Sequence, residues 1–181
     1  MTKFKELNRV HIFSLKQKIY RLSWQIIWWP VKKLTPRNFH FLRIWTLRLF
    51  GADIHWNVSI YPNIEIYDPK NLVMEEGSCI SPNTDIYNVE RITLKKGASI
   101  SQYTFICTAS HNYKTVAMET IAAPIVIGQE AWVMSKVMIG PGVTVGDRAV
   151  IKSGSFVYRN IPSNTVVCLP PERLEKNYVK E

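Results

Sequence analysis

Acidic residues are almost missing from the first part of this chain. Residues 1–50 hold a single acid, Glu6, against 11 Lys or Arg, a net of +10. The remaining residues of the 181 carry 12 bases and 13 acids, so the whole formal charge of +9 sits in the N-terminal segment. Cysteine is scarce too. Cys79, Cys107 and Cys168 are too few and too scattered for a disulfide framework or a Cys-x-x-Cys zinc site, which points to a reducing compartment. Past position 50 the only histidines are His55 and His111, which excludes a three-histidine zinc centre, so no metal is expected. Long apolar runs are lacking. The longest, Ile26-Ile27-Trp28-Trp29-Pro30-Val31, falls far short of the roughly 20 residues of a membrane-spanning helix. The start lacks an apolar core followed by a small-residue cleavage site, so no signal peptide is expected and the location read is cytoplasmic.

What the chain does have is a period of six. Ile127, Val133, Ile139, Val145, Ile151 and Val157 are evenly spaced, and each is followed four residues later by Ala131, Val137, Val143, Ala149, Ser155 or Ile161. Six matches neither the 3.6 of a helix nor strand alternation. It matches a coil with flat sides about six residues long, each turning one aliphatic residue into a shared core, as in a parallel β-helix. Upstream the repeat runs in turns of 20: Ile54, Met74 and Leu94; Ile60, Ile80 and Ile100; Ile66, Ile86 and Ile106. Two six-residue sides and one of eight make a triangular prism, with Leu72 and Ile92 filling the added length. From Ile54 to Ile161 this gives about five turns, a column of about 24 Å at roughly 4.8 Å per strand. A sandwich of short strands has no reason to hold a six-residue phase, and is set aside.

Three segments follow from this: a basic, Trp-rich extension over 1–50, a β-helix over 51–166, and a tail over 167–181. In the extension, helices are expected from about Phe13 to Trp29 and from about Asn38 to Phe50, with Pro30 and Pro36 breaking between them. Trp24, Trp28, Trp29 and Trp45 interleaved with Lys and Arg leave two readings open. Either these residues cap the open end of the column, or they make peripheral contact with an anionic membrane. Nucleic acid is not expected, because no recognisable nucleic-acid module accompanies the charge.

The repeat is broken once. Between Ile106 and Ile125 about 13 extra residues enter at one corner, spanning 107–124. Binding groups concentrate on such protrusions from rigid scaffolds, and this one carries His111. An alcohol attacks a thioester poorly unless its proton leaves as the C–O bond forms. Imidazole, with an unperturbed pKa near 6.5, accepts that proton at neutral pH. His111 is therefore the expected general base. Asn112 reads as an orienting or loop residue, and Tyr113 as one that packs or touches an acceptor.

The hexad repeat over residues 51–176, with Cys107-Thr-Ala-Ser-His111-Asn-Tyr113 and Pro124-Ile-Val-Ile-Gly128, resembles the hexapeptide-repeat acyltransferases. It is most similar to their sugar O-acetyltransferase branch, including enzymes of colanic acid and other exopolysaccharide synthesis. The resemblance implies a left-handed β-helix, acetyl-CoA as donor, direct transfer without an acyl-enzyme, and a homotrimer with sites between subunits. It implies that Ser135 offers a backbone N–H to the thioester oxygen and that Ser153 bonds the pantetheine arm. Tyr158 and Arg159 would lie at the lower end of the groove, and Arg173, with Lys176, near the nucleotide phosphates. Trp132 would line the groove or plug a corner. Asn83 and Asp85, with Ser81, would meet the acceptor, a saccharide or lipid-linked glycan; corner Asn residues also occur simply because they tolerate left-handed angles. Met134 and Lys152 stand where the family has glycine. The alternatives are a non-catalytic scaffold and an N-acyltransferase on an amino sugar.

Overall fold

The protein is described here by a computed structural model covering residues 15–112, 116 and 118–168, together with the backbone of 5–7. Short strands stack into three parallel sheets that form the faces of a prism. The first face holds Asp53–Ile54, Leu72–Met74, Ile92–Leu94, Ile125–Ile127 and Thr144–Val145. The second holds Ser59–Ile60, Cys79–Ile80, Ser99–Ile100, Trp132–Val133, Val150–Ile151 and Val166–Val167. The third holds Glu65–Ile66, Asp85–Tyr87, Phe105–Cys107, Met138–Ile139 and Phe156–Val157. Register is strict: Ile60 lies beside Ile80, Ile80 beside Ile100, Val133 beside Ile100 and Ile151. The inward residues form one aliphatic core and most have no exposure at all.

The column is taller than five turns. Six strands stack on the second face, and a bridge between Val145 and Ile161 starts the sixth turn on the first. The last corner, between Val157 and Ile161, is shorter than its predecessors, so the hexad phase jumps and the inward position of Val167 is hidden in the sequence.

Helix α1 spans Leu15–Leu34 and α2 spans His40–Leu49. The break expected at Pro30 does not occur; α1 runs through it and stops only before Pro36. Proline costs an intrahelical bond and crowds the preceding turn, but the turn beyond it is pinned to the column. Asn63 N–H donates to the Lys32 carbonyl at 2.9 Å, and Lys32 pairs with Glu65.

These helices cap the column, and the donor chemistry of the cap follows from the coil. Strand N–H groups donate to carbonyls of the following turn, as His55 does to Met74 and Cys79 to Ala98, both at 2.9 Å. First-turn strand carbonyls therefore face no strand. Buried carbonyls need donors, and Trp and Arg side chains donate without accepting. Trp24 Nε1 donates to Ile66 O at 2.9 Å and Trp28 Nε1 to Ile64 O at 3.0 Å. Arg43 Nη1 and His40 Nδ1 both reach Ile60 O, and Arg48 reaches Ile54 O. The fully buried Arg43 also donates to the carbonyls of Thr35, Pro36 and Arg37, and burial lowers its pKa. Ile44 and Leu47 close the apolar end.

Candidate functional site

The inserted segment is not a loose loop. Ala109–His111 and Thr120–Ala122 form an antiparallel hairpin in which His111 sits opposite Thr120. A third strand, Lys5–Leu7, pairs with the outer edge of Thr120–Ala122, with Glu6 opposite Ile121. Nothing in the sequence announced this brace. The hairpin is rooted in the third face, where Thr108 N–H donates to the Tyr87 carbonyl at 3.1 Å and Ala123 N–H to the Thr108 carbonyl at 2.9 Å. Thr108 Oγ1 adds a second bond to the Tyr87 carbonyl and accepts from Glu90 N–H. Two strands, a brace and this root hold His111 outside the prism at the corner between the third and first faces.

His111 is exposed, and its Nδ1 lies 3.0 Å from the Met118 carbonyl. A carbonyl only accepts, so Nδ1 is the donor in this contact, and in the neutral ring Nε2 is then the unprotonated nitrogen. Cys107, the other reactive group nearby, is unsuited to attack. Burial pushes its thiol up, and its Sγ donates to the Ala109 carbonyl at 3.0 Å.

The serines lie elsewhere. Ser135 and Ser153 stack one turn apart at the corner between the second and third faces, Oγ to Oγ 3.2 Å. Trp132 is part-exposed on the second face, its Nε1 donating to Ser101 Oγ at 3.0 Å. Tyr158 and Arg159 lie in the last turns, at the same corner as the His111 hairpin. They line a shallow hollow of about 290 Å³ with Phe156, Ile161 and Val167. Tyr158 packs against Gly140, where an added Cβ would stand 2.5 Å from its ring. Within one chain, then, His111 and Ser135 occupy opposite edges of the third face.

A family description of bacterial transferase hexapeptide (six repeats) matches residues 124–159. Over 146 residues the chain is 35% identical to a protein of Escherichia coli K12 named for colanic acid biosynthesis acetylation, WcaF, covering 78% of this chain and 80% of that one. The chain belongs to the hexapeptide-repeat acetyltransferases. It is also 46% identical to the galactoside O-acetyltransferase of E. coli K12 over 56 residues, 31% of this chain and 28% of that protein. A hexapeptide-repeat acetyltransferase of Vibrio cholerae O1 biovar eltor, solved with acetyl coenzyme A, superposes with a TM-score of 0.75 at 26% identity, over 85% of this chain and 84% of that one. The column of this acetyltransferase is accordingly the left-handed β-helix.

Within one chain the three acceptor candidates that lie among the described residues do not converge. Ser81 is on the second face, and Asn83 at the next corner with φ +58°. Asn63 and Tyr103 take the same left-handed angle in the turns below and above, so the corner geometry accounts for an Asn at position 83. Asp85 is on the third face directly beside Phe105, one turn before the hairpin, because the 20-residue repeat pairs 85 with 105. Its carboxylate opens into a groove of about 300 Å³ between α1 and the third face, with Arg21, Glu65, Tyr67, Tyr87 and Trp29. Partial burial there, then the negative charge of Glu65, raise the Asp85 pKa, with Lys32 opposing. Met134 is half-buried and Lys152 exposed on the second face. Tyr113, Arg173 and Lys176 lie outside the described residues. Sequence reasoning missed the Met118 carbonyl and the bracing strand, neither of which has a side-chain signature. Among the described residues no group of three or more His, Cys, Asp or Glu is placed to hold a metal ion.

Proposed function

We propose that this acetyltransferase moves the acetyl group of acetyl-CoA to a saccharide hydroxyl in surface-glycan synthesis, with His111 as general base. The observation that carries the reading is the Nδ1–Met118 contact, which in the neutral ring leaves Nε2 as the unprotonated nitrogen, able to accept a proton. In this reaction Nε2 takes the proton of the acceptor hydroxyl while its oxygen bonds to the thioester carbonyl carbon. The backbone N–H of Ser135 meets the developing oxyanion. Collapse breaks the C–S bond, and the departing coenzyme A thiolate recovers the proton from the imidazolium. The inert Cys107 favours direct transfer over an acyl-enzyme.

Because His111 and Ser135 stand at opposite edges of a face, a donor touching both lies between two copies of the chain. A homotrimer with intersubunit sites satisfies this. Ser153, Trp132, Tyr158 and Arg159 then flank the pantetheine arm, Arg173 the phosphates, and Asp85, Asn83, Ser81 and Tyr113 the acceptor side. A lipid-linked acceptor would bring the reaction to a membrane surface.

The test is thiol release from acetyl-CoA with a panel of free sugars and oligosaccharides. A sugar-dependent signal is expected from the native chain, with His111→Ala slower by about 10²–10⁴-fold at unchanged melting temperature. Equal rates for the two proteins would refute the assignment of the base, and no sugar dependence would refute the acceptor class.

A further inference from the structure

Capping consumes only one side of each N-terminal helix. On α1 the buried stripe contains Trp24 and Trp28, stacked on each other with centroids 4.8 Å apart. Directly opposite, Leu15, Ile19, Leu22, Ile26 and Trp29 recur at the spacing of one helical face, and each is more than half exposed. On α2, whose Ile44 and Leu47 are buried, Phe41, Trp45 and Leu49 form a second exposed stripe, with Phe41 stacked on the exposed Trp56 at 5.5 Å. A surface helix should be polar on the side away from the core. These two are apolar on both sides, and large exposed apolar patches mark interaction surfaces.

The borders of the stripe identify the partner. Lys16, Lys18 and Lys33 are exposed along α1, and Arg37 is exposed between the helices. The described residues 15–50 contain no acid. An exposed Leu/Ile/Trp face fringed by lysine complements a bilayer that carries negative headgroups. No described helix is long and apolar enough to cross a membrane, so the geometry is that of lying on one.

We propose that the outward faces of α1 and α2 form a docking surface for an anionic lipid bilayer, holding the column at the membrane. This does not depend on the identity of the acceptor. It gives the otherwise unpartnered half of each helix a role separate from capping.

The test uses the full chain and sedimentation with vesicles of phosphatidylcholine alone or mixed with phosphatidylglycerol. Binding is expected only to the mixed vesicles and is weakened by salt. Ile19→Ser with Ile26→Ser should weaken it about a hundredfold, and each of Lys16→Gln, Lys18→Gln and Lys33→Gln about fivefold. Melting temperature, oligomeric mass and thiol release with a soluble sugar should stay at native values, which separates this proposal from the assignment of the base. Failure of the native chain to bind mixed vesicles would overturn it. So would a fall in oligomeric mass in the Ile19/Ile26 variant, which would make the stripe a contact between copies.

Discussion

Arg43→Met tests the account of the cap most directly. The Arg43 side chain is fully buried, has no acidic partner, and donates to four carbonyls: Ile60 at 3.0 Å, Thr35 at 2.9 Å, Pro36 at 2.6 Å and Arg37 at 3.1 Å. If each bond is worth a net ~1 kcal/mol, the substitution forfeits about 4. Removing the guanidinium also removes its own desolvation cost, because no opposite charge is left stranded. The expected loss is therefore about 3 kcal/mol. For a chain of this size that lowers the midpoint of thermal unfolding by about 6–12 °C. Arg43→Lys keeps a charge, but its one terminal nitrogen carries three donors and cannot serve four carbonyls that two guanidinium nitrogens now share, so it should recover less than half. The assay is calorimetry or circular dichroism at matched protein concentration, with thiol release at low temperature as a check on the folded fraction. A fall of less than about 2 °C in Arg43→Met would refute the reasoning, since the Ile60 carbonyl and those of the 35–37 turn would then not need this donor.

Other consequences are independent of that one. Deleting residues 1–7 removes the strand that braces the hairpin, and should lower kcat about tenfold through misplacement of His111 with little change in melting temperature. Gly140→Ala forces the Tyr158 ring off its seat; we expect a loss of about 1–3 kcal/mol in stability and weaker coenzyme A binding by calorimetric titration. Asp85→Asn should raise the melting temperature at pH 7. A carboxyl whose folded pKa is raised contributes most to stability below its unfolded value, about 3.9, and that contribution is lost as pH rises through the folded value. The advantage of the Asn variant should therefore vanish when melts are repeated below about pH 4, and its persistence there would contradict the stated cause.

The prism was readable from residues such as Ile60, Ile80 and Ile100, because in a stacked coil one periodic position means one buried position. His111 was readable because a single insertion interrupts that period. The sixth turn was not, since the shortened corner before Ile161 shifts the phase. Neither was the bridge across Pro30, where anchoring of the next turn by Asn63 and Glu65 outweighs a local preference.

The sequence by itself determined the column, its core and the side chain that projects from it, since each depends on spacing along the chain. Only the tertiary structure decided what Trp24, Trp28, Arg43 and Arg48 are for. Carbonyls at the foot of a parallel stack exist only once the stack has formed, and the donors that meet them come from distant positions with no period of their own. It also decided that Lys5–Leu7 supports the His111 hairpin, because edge pairing is made by backbone groups that every residue carries.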